Sequence, residues 1–426
     1  MPKAIQPSAP HPLYLGLDFG TSGARAQVID AKGDVVAQAH CSYDINQWQS
    51  WLHAMAWLFA TLPAPVRQRL AAIAIDGTSS TVLLCDASNT PMHPPQLYND
   101  DGARVEAEHI TVYSPSGHIA ASPTSSLAKL LYGLKQPHAT PPCYFTDQAS
   151  WLASMLTGKP GISDYNNVLK LGYDVAALAW PDWLSQLGVA AYLPQVVTPG
   201  ALIGVVTREV ANKLDIPPTC QVRAGTTDSI AAFIASGADM PGDAVTSLGS
   251  TLVLKLLSTT HVEDGRYGIY SHRLGSRWLA GGASNSGGSV LRQFFDDAAL
   301  AELSRQIEAT RPSGLDYYPL PKIGERFPIN DPQLVPRLNP RPANDVQFLH
   351  GLLEGIARIE TQGYALLARC GATPVKRVLS AGGGAKNQTW RILRERLLGV
   401  PVAATLHGEA AYGAARLAQF GDKLLS

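Results

Sequence analysis

The stretch Leu13-Tyr-Leu-Gly-Leu-Asp18-Phe-Gly20-Thr21-Ser22-Gly23-Ala-Arg25-Ala-Gln-Val-Ile29 decides the fold. Its apolar run over 13–18 reads as a strand, Gly20 and Gly23 force a tight turn, and 24–29 resumes as strand. Asp30-Ala-Lys-Gly33 turns the chain again, into a third strand over 34–39. A carboxylate, Asp18, therefore ends a strand immediately before a glycine-bounded turn. Glycines let a ligand approach the backbone closely, and Thr21, Ser22 and the turn N–H groups supply donors, so the turn has the makings of a phosphate cradle without a lysine. Asp18 at its lip has the chemistry to hold Mg²⁺ through water, since that ion gives up its hydration reluctantly. The same pattern also fits an ordinary hairpin whose aspartate caps a turn.

Outward from this hairpin, Trp48, Trp51, Leu52, Met55 and Leu58 fall at helical spacing and predict a helix over 45–61. Strands follow at 71–75 and 81–85, with Asp76-Gly77-Thr78-Ser79 between them. The second half repeats this grammar: a strand over 244–248, the turn Gly249-Ser250-Thr251, and a strand over 252–257. Long helices are predicted near 288–310 and 345–370, then a strand over 377–381, the turn Gly382-Gly383-Gly384-Ala385 and a helix over 387–398. A strand over 401–405 and a helix from Glu409 complete the pattern. The proline-rich 313–345 stretch reads as a surface excursion, and residues 1–12 as a disordered lead-in. Two halves with one grammar point to a duplicated α/β fold.

The chain has 426 residues, 46% of them hydrophobic and 16% charged, enough to bury large cores. Lys plus Arg is 34 and Asp plus Glu is 34. This balance argues against a broad nucleic-acid or anionic-membrane footprint, which needs a positive excess, but leaves a local phosphate site open. Cys41, Cys85, Cys143, Cys220 and Cys370 form no CxxC pair and are too sparse for a disulfide framework. No secretory h-region and no run of about 18 apolar residues is present, so a cytoplasmic location is expected.

Asp228 is the sharpest single carboxylate. It lies in Arg223-Ala-Gly-Thr-Thr-Asp228-Ser-Ile, after a short apolar strand and in the first turn of an apolar helix. Such a carboxylate is partly desolvated yet kept ionised by the helix N-terminus, which suits a base that takes a hydroxyl proton; a plain N-terminal cap is the alternative. Three consecutive glycines after a strand would let a nucleotide base or ribose lie on bare backbone, or simply form a loop before a helix starting at Asn387. There is no Walker A sequence, no HExxH and no GxSxG, and Asp18-Phe-Gly20 lacks the catalytic loop that would make it a protein-kinase metal motif. The eleven histidines show no ligand spacing.

Taken together, Gly16-Leu-Asp18-Phe-Gly-Thr-Ser-Gly-Ala-Arg25, Ile75-Asp-Gly-Thr-Ser79, Ala224-Gly-Thr-Thr-Asp228, Ser247-Leu-Gly-Ser-Thr251, Ala381-Gly-Gly-Gly-Ala-Lys-Asn387 and Glu409-Ala-Ala-Tyr-Gly-Ala-Ala415 resemble the FGGY family of carbohydrate kinases. The resemblance runs from Leu15 almost to the C-terminus. It implies an α/β fold of two actin-like, ribonuclease-H-like domains with a cleft between them. Domain I would be 13–235 plus 406–426, with the sugar site and first phosphate hairpin, and domain II would be 236–405, with the nucleotide site. Thr226-Thr-Asp-Ser-Ile, Gly314-Leu-Asp-Tyr-Tyr-Pro-Leu-Pro and Gly324-Glu-Arg-Phe-Pro328 resemble most closely the short D-ribulose kinases of photosynthetic organisms.

By that resemblance, ATP and Mg²⁺ are the cofactors and O5 of D-ribulose is the acceptor. D-xylulose, L-ribulose and other polyols or ketoses are alternatives, and a sugar-independent ATPase or a silent sugar sensor more distant ones. Asp18 takes the metal-and-phosphate role, Thr21 a phosphate contact and Asp228 the catalytic base. Gly249 and Thr251 form the second phosphate hairpin, and Gly382, Gly383 and Asn387 the adenosine turn. Ser22, Gly23, Arg25 and Ser79, beside Asp18 and Asp228, line the sugar pocket. The family's Trp-x-Asp-x-x-Arg stretch appears as Tyr98-Asn-Asp100-Asp-Gly-Ala-Arg104, so Asp100 and Arg104 stay outside the candidate site. No nucleic acid, membrane or obligate protein partner is implied.

Overall fold

The computed structural model describes residues 11–136 and 143–425, and the chain divides into two compact units. The expected lead-in falls outside the described residues except for His11 and Pro12. The first unit comprises residues up to Ile234 together with Glu409 onward, and the second Ala235–Gly408.

In the first unit the strands are β1 (Leu13–Gly20), β2 (Gly23–Ile29), β3 (Val35–Cys41), β4 (Leu70–Gly77), β5 (Val82–Cys85), β6 (Tyr144–Asp147), β7 (Ile162–Asp164), β8 (Gln195–Val197), β9 (Leu202–Val205) and β10 (Gln221–Thr227). Its helices are α1 (Trp48–Thr61), α2 (Ala64–Arg67), α3 (Arg104–Thr111), α4 (Ser126–Leu134), α5 (Gln148–Thr157), α6 (Arg208–Leu214) and α7 (Asp228–Ala235). A six-stranded sheet runs in the order β3-β2-β1-β4-β10-β9. The β1–β2 pair is antiparallel and β1, β4 and β10 are parallel. β1 is buried on both faces, which is why it reads as a continuous apolar run rather than an alternating one.

The register fixes the candidate site: Asp18 lies opposite Asp76 across β1 and β4, and Asp76 opposite Thr226 across β4 and β10. The core beneath is built from Leu15, Leu17, Phe19, Trp51, Phe59 and Trp151.

The second unit holds β11 (Asp243–Leu248), β12 (Leu252–Ser258), β13 (Tyr270–Leu274), β14 (Arg277–Ser284), β15 (Arg377–Ala381) and β16 (Val402–Ala404), in the sheet order β13-β14-β12-β11-β15-β16. Its helices are α8 (Gly288–Leu291), α9 (Asp297–Gln306), α10 (Asp345–Arg369) and α11 (Gln388–Leu398). The last helix, α12 (Ala410–Phe420), belongs to the first unit. It crosses so closely that a Cβ on Gly16 would lie 1.9 Å from the Ala411 carbonyl oxygen, and one on Gly413 1.9 Å from that of Ala231.

Two expectations fail here. The helix over 288–310 is broken into α8 and α9, because Asp296 leaves helical geometry and accepts from the Ala299 N–H as the cap of a new helix, while Phe295 is buried in the core. The 313–345 stretch is not a surface excursion: Tyr317, Tyr318, Leu320 and Phe327 are buried in the second unit's core. Phe327 occupies the space that side chains on Gly282 and Gly363 would fill. Proline-rich composition predicted irregular backbone correctly but said nothing about which side chains it would carry inward.

Candidate active site

The β1–β2 hairpin carries Asp18 at the end of a buried strand, 4% exposed, and Thr21 and Ser22 at its exposed tip. Gly23 sits at φ +143°, and a Cβ there would lie 2.7 Å from the Cys41 carbonyl oxygen, so the turn depends on glycine. Arg25 reaches back along the hairpin: its Nη1 is 3.2 Å from Asp18 Oδ2, its Nη2 donates to Ser22 Oγ at 3.1 Å, and its Nε lies 3.1 Å from Glu409 Oε2. This guanidinium therefore ties the hairpin tip, the buried carboxylate and the start of α12 together.

Beside Asp18 stands Asp76, a residue the sequence reading quoted in a motif without assigning it to the site. It is 0% exposed, and among the described residues its carboxyl group meets no N–H donor and only the neighbouring Asp18 carboxyl group, with which it shares a proton. Burial, then the neighbouring Asp18 carboxylate, pushes its pKa well above the usual carboxylate range, with Asp228 adding to the push. Burial also raises the pKa of Asp18, with Asp76 and Arg25 opposing that rise. Burial raises Tyr43 as well; Gln148 opposes this, and Asp18, Asp228 and Asp76 reinforce it. Asp76 thus feels both Asp18 and Asp228 within a single unit, and all three act on Tyr43. Asp228 opens α7, half-buried, its Oδ1 accepting from the Ser229 N–H at 2.6 Å.

Ser79 is half-buried in the turn that follows β4. That turn is held to the hairpin through Gln148, another residue that sequence alone did not single out. Gln148 Oε1 accepts from the Thr78 backbone at 3.1 Å, and its Nε2 donates to Tyr43 Oη at 3.3 Å. Tyr43 in turn donates to the Gly20 carbonyl at 2.8 Å. No local motif marks Gln148, because its importance comes from contacts 70 and 105 residues away.

Ser22, Gly23 and Arg25 line an open hollow of about 750 Å³ with His40, His53 and Trp57. Asp18, Ser79 and Asp228 are not among its walls, so the expected sugar-contacting residues do not all share this one pocket. Asp100 accepts from the Leu97 N–H and Arg104 pairs with Asp101, both on the surface.

In the second unit a pocket of about 550 Å³ is walled by Gly249, Ser304, Gly383, Gly384, Asn387 and Trp390, among others. Its floor is bare backbone: a Cβ on Gly384 would lie 2.6 Å from the Trp390 ring. Asn387 caps α11, accepting from Trp390 N at 3.0 Å, and donates to Ser304 Oγ at 2.8 Å. Gly382, at φ +80°, and Thr251, on the β11–β12 hairpin, are not among its lining residues. The arrangement fits a flat, weakly polar ligand such as a nucleoside.

Comparison with known proteins extends over the whole fold. The chain is 25% identical over 444 residues to the xylulose kinase of Escherichia coli (strain K12), covering 96% of this chain and 90% of that protein. It is 23% identical over 435 residues to the gluconokinase of Bacillus subtilis (strain 168), covering 88% and 81%. Among solved structures it resembles xylulose kinase from Rhodospirillum rubrum, with a TM-score of 0.82 at 22% identity, covering 96% of this chain and 89% of that one. It also resembles Plasmodium falciparum glycerol kinase with ADP, with a TM-score of 0.85 at 16% identity, covering 98% and 90%. These likenesses agree with the expected fold of two actin-like, ribonuclease-H-like α/β domains. The N-terminal-domain model of one family matches residues 13–235 and its C-terminal-domain model 244–421, so this chain belongs to the FGGY family of carbohydrate kinases.

Proposed function

We propose that this carbohydrate kinase transfers the γ-phosphoryl group of ATP to the O5 hydroxyl of D-ribulose, giving ADP and D-ribulose 5-phosphate. The observation that carries the reading is the pairing of Asp18 with Asp76 across β1 and β4, with Asp228 two residues past the strand partner of Asp76, beside a hairpin rich in donors. One Asp228 carboxylate oxygen accepts the O5 proton as O5 bonds to the γ-phosphorus and the bond from that phosphorus to the ADP oxygen breaks. Thr21, with the N–H groups of its turn, donates to the phosphoryl oxygens as charge spreads over them, and Thr251 keeps the phosphate-hairpin role that the family resemblance implies for it. Adenosine occupies the pocket floored by Gly383 and Gly384, with Gly249 and Asn387 in its wall and Gly382 setting the turn.

The paired carboxyl groups of Asp18 and Asp76 suit a divalent cation, whose charge would favour their ionised form. Among the described residues no three His, Cys, Asp or Glu side chains gather as a metal-holding group, so the fit is to hydrated Mg²⁺ held by Asp18 and Asp76 through water. Mg²⁺ would supply charge neutralisation on the β- and γ-phosphates.

D-Ribulose rests on the resemblance of the Thr226-Thr-Asp-Ser-Ile segment to D-ribulose kinases, while the altered Tyr98–Arg104 stretch speaks against carrying specificity over from xylulose or glycerol kinases. D-Xylulose is the second reading, favoured by xylulose kinases recurring among the relatives from several bacteria. The test is coupled ADP release with D-ribulose, D-xylulose, L-ribulose, D-gluconate, ribitol and glycerol. A larger kcat/KM for D-xylulose reverses the substrate assignment and leaves the reaction class intact. Asp228→Ala is expected to lose about 10²-fold or more in turnover with little change in ATP binding. Near-normal sugar phosphorylation by that variant removes Asp228 from the base role.

A further inference from the structure

Lys129 lies in α4 and its side chain is 1% exposed. Its Nζ donates to the Ser80 carbonyl at 2.8 Å and to the Leu97 carbonyl. Both acceptors are neutral backbone groups, an expensive setting for a buried ammonium. The two carbonyls belong to different segments: the 78–81 turn that carries Ser79, and the 96–100 segment. Ser80 is held at φ +63°, a left-handed conformation disfavoured for a residue with a side chain, and its Oγ accepts from Ser126 Oγ at 3.2 Å. Thr81 reinforces the join, its Oγ1 accepting from the Tyr98 N–H at 3.2 Å and bonding Thr78 Oγ1 at 2.6 Å. Strained backbone and a desolvated cation meet at the turn that Gln148 and Tyr43 connect to the Asp18 hairpin.

We infer that Lys129 is a positioning residue of the acceptor site, its ammonium clamping the 78–81 turn onto the 96–100 segment and so fixing where Ser79 presents its hydroxyl. This rests on the reading of Ser79 as a sugar contact. A neutral donor would join two loops at lower desolvation cost; a charged one polarises both carbonyls and resists displacement when a polyol enters.

Burial lowers the Lys129 pKa to about 8, so the clamp carries its own pH dependence. Asp100, from the 96–100 segment, favours the charged form and Lys170, from the turn Leu169–Leu171, disfavours it. His118 heads the neighbouring turn Ile119–Ala121, and Glu106 of α3 is paired with Lys135.

The test compares Lys129→Met, Ser79→Ala and the wild type for acceptor KM, ATP KM and kcat at pH 7 to 9. Lys129→Met is expected to raise acceptor KM by roughly tenfold or more, with ATP KM and kcat within about twofold. The wild-type acceptor KM is expected to climb across this pH range, and that of Lys129→Met to stay level. If Lys129→Met does not fold, the wild-type profile decides: acceptor KM level with pH overturns the inference. An acceptor KM raised by Ser79→Ala but not by Lys129→Met overturns it while leaving the acceptor site in place. Unchanged acceptor KM in both variants overturns the inference and the Ser79 assignment together.

Discussion

The two units share a hairpin-and-sheet plan but treat buried charge in opposite ways. In the first, Asp18 and Asp76 face each other across β1 and β4; in the second, the corresponding pair across β11 and β15 is Ser247 and Ala381. One residue deeper, Thr246 and Ser380 face each other and open onto a buried ion pair between Arg394 and Glu360, each 1% exposed. Arg394 Nε reaches Glu360 Oε2 at 2.6 Å, its Nη2 reaches Oε1 at 2.7 Å, and its Nη1 donates to Ser380 Oγ at 2.6 Å. Thr246 Oγ1 donates to Glu360 and bonds Tyr364 Oη. Each charge there has an opposite charge and a set of hydrogen bonds. The facing pair of the first unit has no such set: Asp18 meets the partly exposed Arg25, and Asp76, among the described residues, meets only Asp18. A satisfied buried network specifies packing, whereas an unsatisfied one stays available to a ligand.

The contrast breaks most visibly at the satisfied network. Arg394→Met should leave Glu360 buried without its partner and cost about 3–5 kcal/mol of stability, read by denaturant unfolding. Because the network touches no proposed ligand, kcat per folded molecule should stay near wild type. A stable Arg394→Met variant with altered ATP KM would mean that the network belongs to the nucleotide site.

Asp76→Asn should behave in the opposite way. The folded-state pKa of Asp76 lies above its unfolded value, so the native state holds an extra proton between the two, and stability falls as pH rises through that window. Asparagine has no proton to lose. The variant should therefore be more stable than wild type at pH 8, by about 1–3 kcal/mol, with the gap narrowing at pH 5. Turnover should fall at the same time, the trade expected where a strained charge serves function. An equal stability difference at both pH values would show that the carboxylate is not strained by its surroundings.

Much of this was legible in the chain. The 13–29 hairpin, its repeat at 244–257, the turn after 381 and the helix-opening Asp228 all follow from local pattern, because glycine spacing and strand periodicity are written over a few residues. Asp76, Gln148 and Lys129 were not. Asp76 becomes informative only when parallel register sets it against Asp18, and Lys129 only when α4 brings it to carbonyls 49 and 32 residues away. The 313–345 segment misled because proline content reports backbone irregularity, while Tyr317 and Phe327 are drawn in by a core assembled from elsewhere.

The smallest effect lies in the turns after the paired strands. Past β4 the first unit runs Thr78-Ser-Ser-Thr81, hydroxyls throughout; past β15 the second runs Gly382-Gly-Gly-Ala385, nearly bare backbone, and ends on the cap of α11. Side-chain hydroxyls suit an acceptor that is itself a polyol, and a bare floor suits a flat base. Asn387→Ala should cost about 1 kcal/mol in thermal unfolding through the lost cap. It should also raise ATP KM a few-fold, about 2–5, by loosening the turn against Ser304, without moving acceptor KM. Ser304→Ala separates the two effects: it removes the hydroxyl that accepts from Asn387 while the cap on the Trp390 N–H stays. If Ser304→Ala keeps ATP KM, the Ser304 contact does not shape the nucleotide wall. If acceptor KM moves instead, the division of labour between the two turns is wrong.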